Sequence, residues 1–255
     1  MKDLEQLQYE INQCDDQIIS ILTKKFHKIQ EMTRYKKANH LPIFDKQPPA
    51  KTNILENAPF KGFKEEISDI ISSVEKNSKK VQAKSLVSEN IMLIGFMGCG
   101  KSTISAYLNK MLAMEVVEMD ALIVEKEGMS INDIFAKHGE EYFRNCESNL
   151  LIELQKQNQL VVSCGGGVVL REENVAHMKK NGKIVLLQAS PETIYARVKN
   201  STDRPILNNN MNVEFISELM EKRKEKYLKA ADIVIDTDNK TVQEICEELI
   251  EKISK

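Results

Sequence analysis

Two rhythms of apolar and polar positions run along the chain and divide it. From residue 4 to residue 38, Leu4, Leu7, Ile11, Cys14, Ile18 and Ile21 follow a heptad-like spacing that Met32 and Tyr35 resume. That spacing predicts one long helix with an apolar stripe. Lys25 and Lys28 fall inside the stripe, while Leu22, Phe26 and Ile29 continue an apolar face slightly to one side. "LPIFDKQPP" should end the helix, because proline lacks the backbone donor and clashes with the preceding turn. A second amphipathic pattern covers residues 63–82 through Ile67, Ile70, Ile71 and Val74. The expectation is a small all-α, three-helix domain over residues 1–84 and a polar linker at 85–89. A piece this small buries little surface alone, so a homodimer through these helices is expected.

After residue 90 the rhythm shortens. β-rich runs appear at 91–94, 115–117, 160–163, 183–188 and 232–235, separated by helical patterns at 102–113, 130–137, 140–157, 191–199, 213–230 and 241–253. Strands alternating with helices predict an α/β domain over residues 90–255, a five-stranded parallel sheet covered on both faces. In such sheets ligands bind beyond the carboxyl ends of the strands.

Composition narrows the partners. A net charge of −2 exerts no general pull toward nucleic acid or acidic membranes. No apolar run approaches a bilayer span, and "MKDLEQLQYE" is acidic and polar, unlike a signal peptide. Five cysteines without a CxxC pair suggest reduced thiols and a cytoplasmic location rather than disulfides or a zinc site.

The chemistry starts at "GFMGCGKST". Gly95, Gly100, Lys101 and Ser102 satisfy G-x-x-x-x-G-K-[ST] between a predicted strand and a predicted helix. Backbone N–H groups of such a loop, including those of Gly98, Cys99 and Thr103, can face phosphates. Lys101 would span the β- and γ-phosphates of ATP, and Ser102 would ligate Mg2+. "VVEMDAL" puts Glu118 and Asp120 on one side of the backbone just past the second strand, by the alternation of strand side chains. "FRNCES" sets Arg144 and Glu147 on one face of a helix. "CGGGVV" ends the third strand in Gly165, Gly166 and Gly167, a floor without side chains where a ring could lie. Arg204 and Arg223 follow in "RPIL" and "RKEKY". A carboxylate beside arginines suits a small anionic, hydroxylated acceptor: the arginines grip its carboxylate and Asp120 takes the hydroxyl proton.

Taken together, these motifs resemble the shikimate kinase family over residues 90–254, in the family's order and approximate spacing. The resemblance implies a P-loop kinase that uses ATP and Mg2+ to phosphorylate the 3-hydroxyl of shikimate in aromatic amino acid biosynthesis. It implies that Asp120, Arg144, Gly166, Gly167 and Arg223 bind shikimate, with Asp120 as base. Arg204 would reach the transferring phosphoryl group from a lid over residues 200–212, and Arg197 would stack on adenine. The first acidic position is usually aspartate in the family and is Glu118 here, able to hold a magnesium-bound water through a longer side chain.

The N-terminal residues resemble the all-helical chorismate mutase family in "LEQLQYEINQCDDQIISILTKKF…YKKANHLPIFD" and "NSKKVQ". That resemblance implies a vestigial dianion site at Lys25, Lys36, Asp45 and Gln82. Gln8 replaces a usual arginine, and "KQPP" replaces the usual Arg-Glu after Asp45. The expectation is therefore a degenerate module for dimerisation or effector sensing. The alternatives are a bifunctional mutase and kinase, another small-molecule P-loop kinase such as a gluconate kinase, or a nucleotide-binding regulator without turnover.

Overall fold

The computed structural model describes residues 3–44, 62–199 and 212–254. Chain contacts divide it into two compact units, one reaching Leu86 and one over Val87–Ser254.

In the first unit, α1 (Leu4–Ala38) is a single helix and packs against α2 (Lys64–Lys84). Asp45 lies outside the described residues, which contain two of the three expected helices. The heptad stripe on α1 is bare: Ile11 is 54% exposed, Ile18 53% and Ile21 66%. Leu22, Phe26 and Ile29 are instead half-buried, and Thr33 is buried. The face beside the stripe does the packing. Lys25 is exposed, Gln82 is buried, and the half-buried Lys36 donates to the Ile43 carbonyl at 3.2 Å.

The second unit alternates strands and helices. Its elements are β1 (Asn90–Ile94), α3 (Lys101–Leu112), β2 (Glu115–Glu118), α4 (Met119–Glu127), α5 (Ile131–Leu154), β3 (Leu160–Ser163), α6 (Glu172–Lys180), β4 (Gly182–Gln188), α7 (Pro191–Val198), α8 (Val213–Ala230), β5 (Ile233–Asp236) and α9 (Val242–Ile253). All ladders are parallel, in the order β2-β3-β1-β4-β5. Every residue of the central β1 is buried, so it reads as a continuous apolar run rather than an alternating one. Met92 and Ile94 join a core with Ile123 of α4, Leu150 and Leu151 of α5, Met178 of α6 and Tyr227 of α8. α3 and α9 pack together, α3 lying against β1, β2 and β3 and α9 against β5. Among the described residues no helix is long and apolar enough to cross a membrane.

Two helices were not expected. α4 starts directly after β2, so Asp120 sits in the first turn of a helix, not in an extension of the strand. Its apolar residues do not form one stripe, which hid the helix. α6 carries few apolar residues in "EENVAHMKK". The two helices expected at 130–137 and 140–157 are both present within α5 and are separated at Gly139, whose backbone (φ 81, ψ 171) is non-helical, a conformation that glycine tolerates.

Candidate active site

The loop after β1 runs into α3 with Gly95, Gly98 and Gly100 all at positive φ. A Cβ at Gly95 would meet the Leu187 carbonyl and, at 2.8 Å, Cys99 Sγ, so the loop closes only with glycine there. Lys101 Nζ donates to the carbonyls of Gly95 (2.9 Å) and Phe96 (3.2 Å) and lies 3.9 Å from Cys99 Sγ. The ammonium thus folds back over its own loop, where a phosphate oxygen could replace a carbonyl.

Ser102 Oγ donates to Glu118 Oε2 at 2.8 Å. A hydroxyl and a carboxylate meeting at the mouth of a phosphate loop are hard oxygen donors and suit Mg2+. Among the described residues no group of three or more His, Cys, Asp or Glu side chains is placed to hold a metal by itself. One cavity of about 510 Å³ is lined by Lys101, Ser102, Glu118, Asp120, Gly166 and Arg197, among others. Gly98, Cys99, Gly100 and Thr103 also line it. Arg197, also in the cavity wall, donates to the Cys99 carbonyl (3.2 Å) and to Thr237 Oγ1 (3.3 Å), which ties it to the phosphate loop.

Beside this cavity the glycine turn is gripped by charged side chains. Arg144 forms ion pairs with Glu147 (2.6 Å) and Glu140 (2.7 Å), and both Arg144 and Glu147 are buried. Burial opposes the charge on Arg144, but Glu147 and Glu140 together outweigh it and hold the guanidinium above its ordinary pKa. Burial pushes the Glu147 carboxyl up; Arg144 opposes the rise and the Asp120 charge adds to it. Glu147 Oε1 is buried and has no hydrogen-bond partner among the described residues.

A Cβ on Gly165 would stand 2.5 Å from Glu147 Oε1 and 2.9 Å from Asp120 Oδ1. A Cβ on Gly167 would run into the Arg144 guanidinium. Two of the three glycines therefore make room for the protein's own charged groups. At Gly166 the nearest atoms to such a Cβ stand at 3.8 Å. From the other side, Arg223 Nη1 donates to the Gly166 carbonyl at 3.4 Å, and Tyr227 donates to the same oxygen at 2.5 Å. Burial pushes the Tyr227 phenol up to about 12, so it remains a donor.

A family model described as "SKI: Shikimate kinase" matches residues 97–254. The chain belongs to the shikimate kinase family. It is accordingly an ATP-dependent kinase of shikimate that works with Mg2+. The shikimate kinase of Dehalococcoides mccartyi is 42% identical over 167 residues, covering 66% of this chain and 94% of its own length. That of Sulfurihydrogenibium sp. is 46% identical over 167 residues, 66% of this chain and 99% of its own length. Among solved structures, the Acinetobacter baumannii shikimate kinase in complex with shikimate aligns with TM-score 0.62 at 30% identity, covering 66% of this chain and 94% of that one. The Aquifex aeolicus shikimate kinase aligns with TM-score 0.56 at 36% identity over 64% and 95% of the two chains.

Within this kinase, Lys101, Ser102, Glu118, Asp120 and Arg197 come together in the cavity, while Arg144, Gly165, Gly166, Gly167 and Arg223 meet at its edge. Arg204 lies outside the described residues. Glu147 and Tyr227 shape the site without having been assigned to it from sequence. The three-residue spacing to Arg144 and the four-residue spacing to Arg223 were the available signals.

Proposed function

We propose a division of labour for moving the γ-phosphoryl group of ATP onto the 3-hydroxyl of shikimate. The observation that carries it is the convergence of a phosphate loop, a carboxylate and two arginines on one glycine turn. The loop amides from Gly98 to Thr103 hold the phosphates, and Lys101 exchanges its loop carbonyls for β- and γ-phosphate oxygens. Ser102 and Glu118 hold the metal side, Glu118 through a bound water. Magnesium, when bound with ATP, offsets charge between the β- and γ-phosphates. Arg197 lies against the adenine. Arg144 and Arg223 bind the shikimate carboxylate over Gly165, Gly166 and Gly167 by charge-assisted hydrogen bonds. Asp120 accepts the proton of the attacking hydroxyl, and Arg204 steadies the transferring group.

Asp120→Asn tests the base: kcat should fall about 10²- to 10⁴-fold with little change in KM for ATP. Turnover within tenfold of the native rate would remove Asp120 from that role.

For the N-terminal residues we infer a domain over 1–84 joined by a linker at 85–89 to the kinase domain at 90–255. This domain pairs two copies in the cytoplasm and is a degenerate mutase-like module. The bare stripe of α1 supports the pairing. The commitment of Lys36 to the Ile43 carbonyl supports degeneration over catalysis. Chorismate turnover at the rate of a dedicated mutase would reverse that reading.

A further inference from the structure

We propose that Ser105 is the positioning residue of the metal side, fixing the Glu118 carboxylate that faces Ser102. The inference rests on the assignment of Ser102 and Glu118 to magnesium. Ser102 and Ser105 are three apart in the first two turns of α3, hence on one face. Their hydroxyls take one oxygen each of the same carboxylate: Ser102 Oγ lies 2.8 Å from Oε2 and Ser105 Oγ 2.7 Å from Oε1. Ser105 is fully buried, so water cannot substitute for its hydroxyl.

The hydroxyl has one proton and two acceptors in reach, the second being the Ser102 carbonyl at 3.0 Å. The bond to a carboxylate is both shorter and charge-assisted, and so takes the proton. The need follows from side-chain length. Glu118 ends an edge strand, β2, and is half-buried. A glutamate has one more rotatable bond than an aspartate and loses more freedom when its carboxylate is fixed. With Oε1 held by Ser105, Oε2 points at Ser102 and the cavity before any ion arrives. Preorganisation of this kind sets affinity for the ion, not for the bare nucleotide.

The experiment is calorimetric titration of the full-length protein with ADP, with and without Mg2+. In Ser105→Ala the Mg2+-dependent gain in ADP affinity should fall about tenfold, the worth of a hydrogen bond to a charged group. ADP affinity without Mg2+ should be unchanged. In Glu118→Asp the shorter carboxylate should no longer reach Ser105, so adding Ser105→Ala to it should change nothing further. Equal loss with and without Mg2+, or the same loss in the Glu118→Asp background, would make Ser105 a mere helix-packing serine and overturn the proposal. Glu118→Gln separates the underlying assignment. If it leaves the Mg2+-dependent gain intact, Glu118 does not serve the metal and both readings fall. If it removes the gain while Ser105→Ala does not, only the role of Ser105 fails.

Discussion

Ile91, Leu93 and Ile94 of β1 are fully buried, whereas Ile11, Ile18 and Ile21 of α1, equally apolar, stand more than half exposed. The kinase unit satisfies its apolar pattern internally; the helical unit displays its pattern. Relatives matched over 94% and 99% of their own length correspond to the kinase part of this chain, so that part is a whole protein elsewhere. The helical stripe has no such independence. Each fully buried Leu or Ile contributes about 1.5–3 kcal/mol. The five Leu and Ile positions of the stripe are 43–77% exposed, so mirrored across a two-fold axis they offer a gross gain of roughly 9–18 kcal/mol. That is of the same order as the ~4–15 kcal/mol lost in association, enough to make pairing of two copies the expected use of the stripe.

The sharpest way to separate the units is Lys101→Ala. Kinase turnover should drop at least about 10³-fold, while circular dichroism and the mass by light scattering stay as in the native protein. Near-native turnover at saturating ATP would show that the ammonium does not serve the phosphates. Gly167→Ala acts inside the kinase unit alone. Its Cβ displaces the Arg144 guanidinium, and KM for shikimate should rise by up to about 10²-fold with ATP affinity preserved. An unchanged KM would mean Arg144 does not grip the acceptor.

A smaller effect comes from pH. The Glu147 carboxyl is raised in the fold, so its protonated form is the one the fold favours. Its stabilisation is complete below the unfolded value of about 4.3 and is lost as pH rises through the folded value. Catalysis runs the other way, because ionised Glu147 is the buried one of the two carboxylates that hold Arg144. We expect kcat/KM for shikimate to fall severalfold on the acid side, beginning above the ordinary carboxylate range. In Glu147→Gln that limb should disappear, leaving kcat/KM for shikimate low at every pH. A profile flat to pH 4 contradicts it.

The smallest effect on turnover belongs to the helical unit. Removing residues before Ser88, or introducing Ile18→Glu, should leave kcat/KM within about twofold while converting a dimer into a monomer by light scattering. A truncated protein that is inactive would show that the units share a core or a site.

The difference between the units also explains what the sequence made legible. β1 was readable because burial on both faces leaves an uninterrupted apolar run, and α1 because its stripe is long. α4 was not, since a nine-residue helix entered straight from a strand leaves no side-chain cap at its N-terminus and no clear stripe. At the site, the phosphate loop could be read because its residues are consecutive. The burial of the Arg144–Glu147 pair could not, because helical spacing gives adjacency and not depth. The triple glycine was legible as an absence of side chains. What fills that absence, the Arg144 guanidinium and the Glu147 and Asp120 carboxylates, depends on segments distant in sequence.

The strand order assigns the halves of the active site to parts of the sheet that open at different rates. β1, which carries the phosphate loop, is the middle strand, flanked by β3 and β4, whereas β2, which carries Glu118, is an edge strand paired only with β3. Edges fray by local opening at lower free energy than centres. Under mild heat or denaturant the enzyme should lose its grip on the metal before its grip on the nucleotide. Amide hydrogens of residues 115–118 should accordingly exchange with solvent well before those of residues 90–94, and bound nucleotide would mask early inactivation from a simple thermal melt.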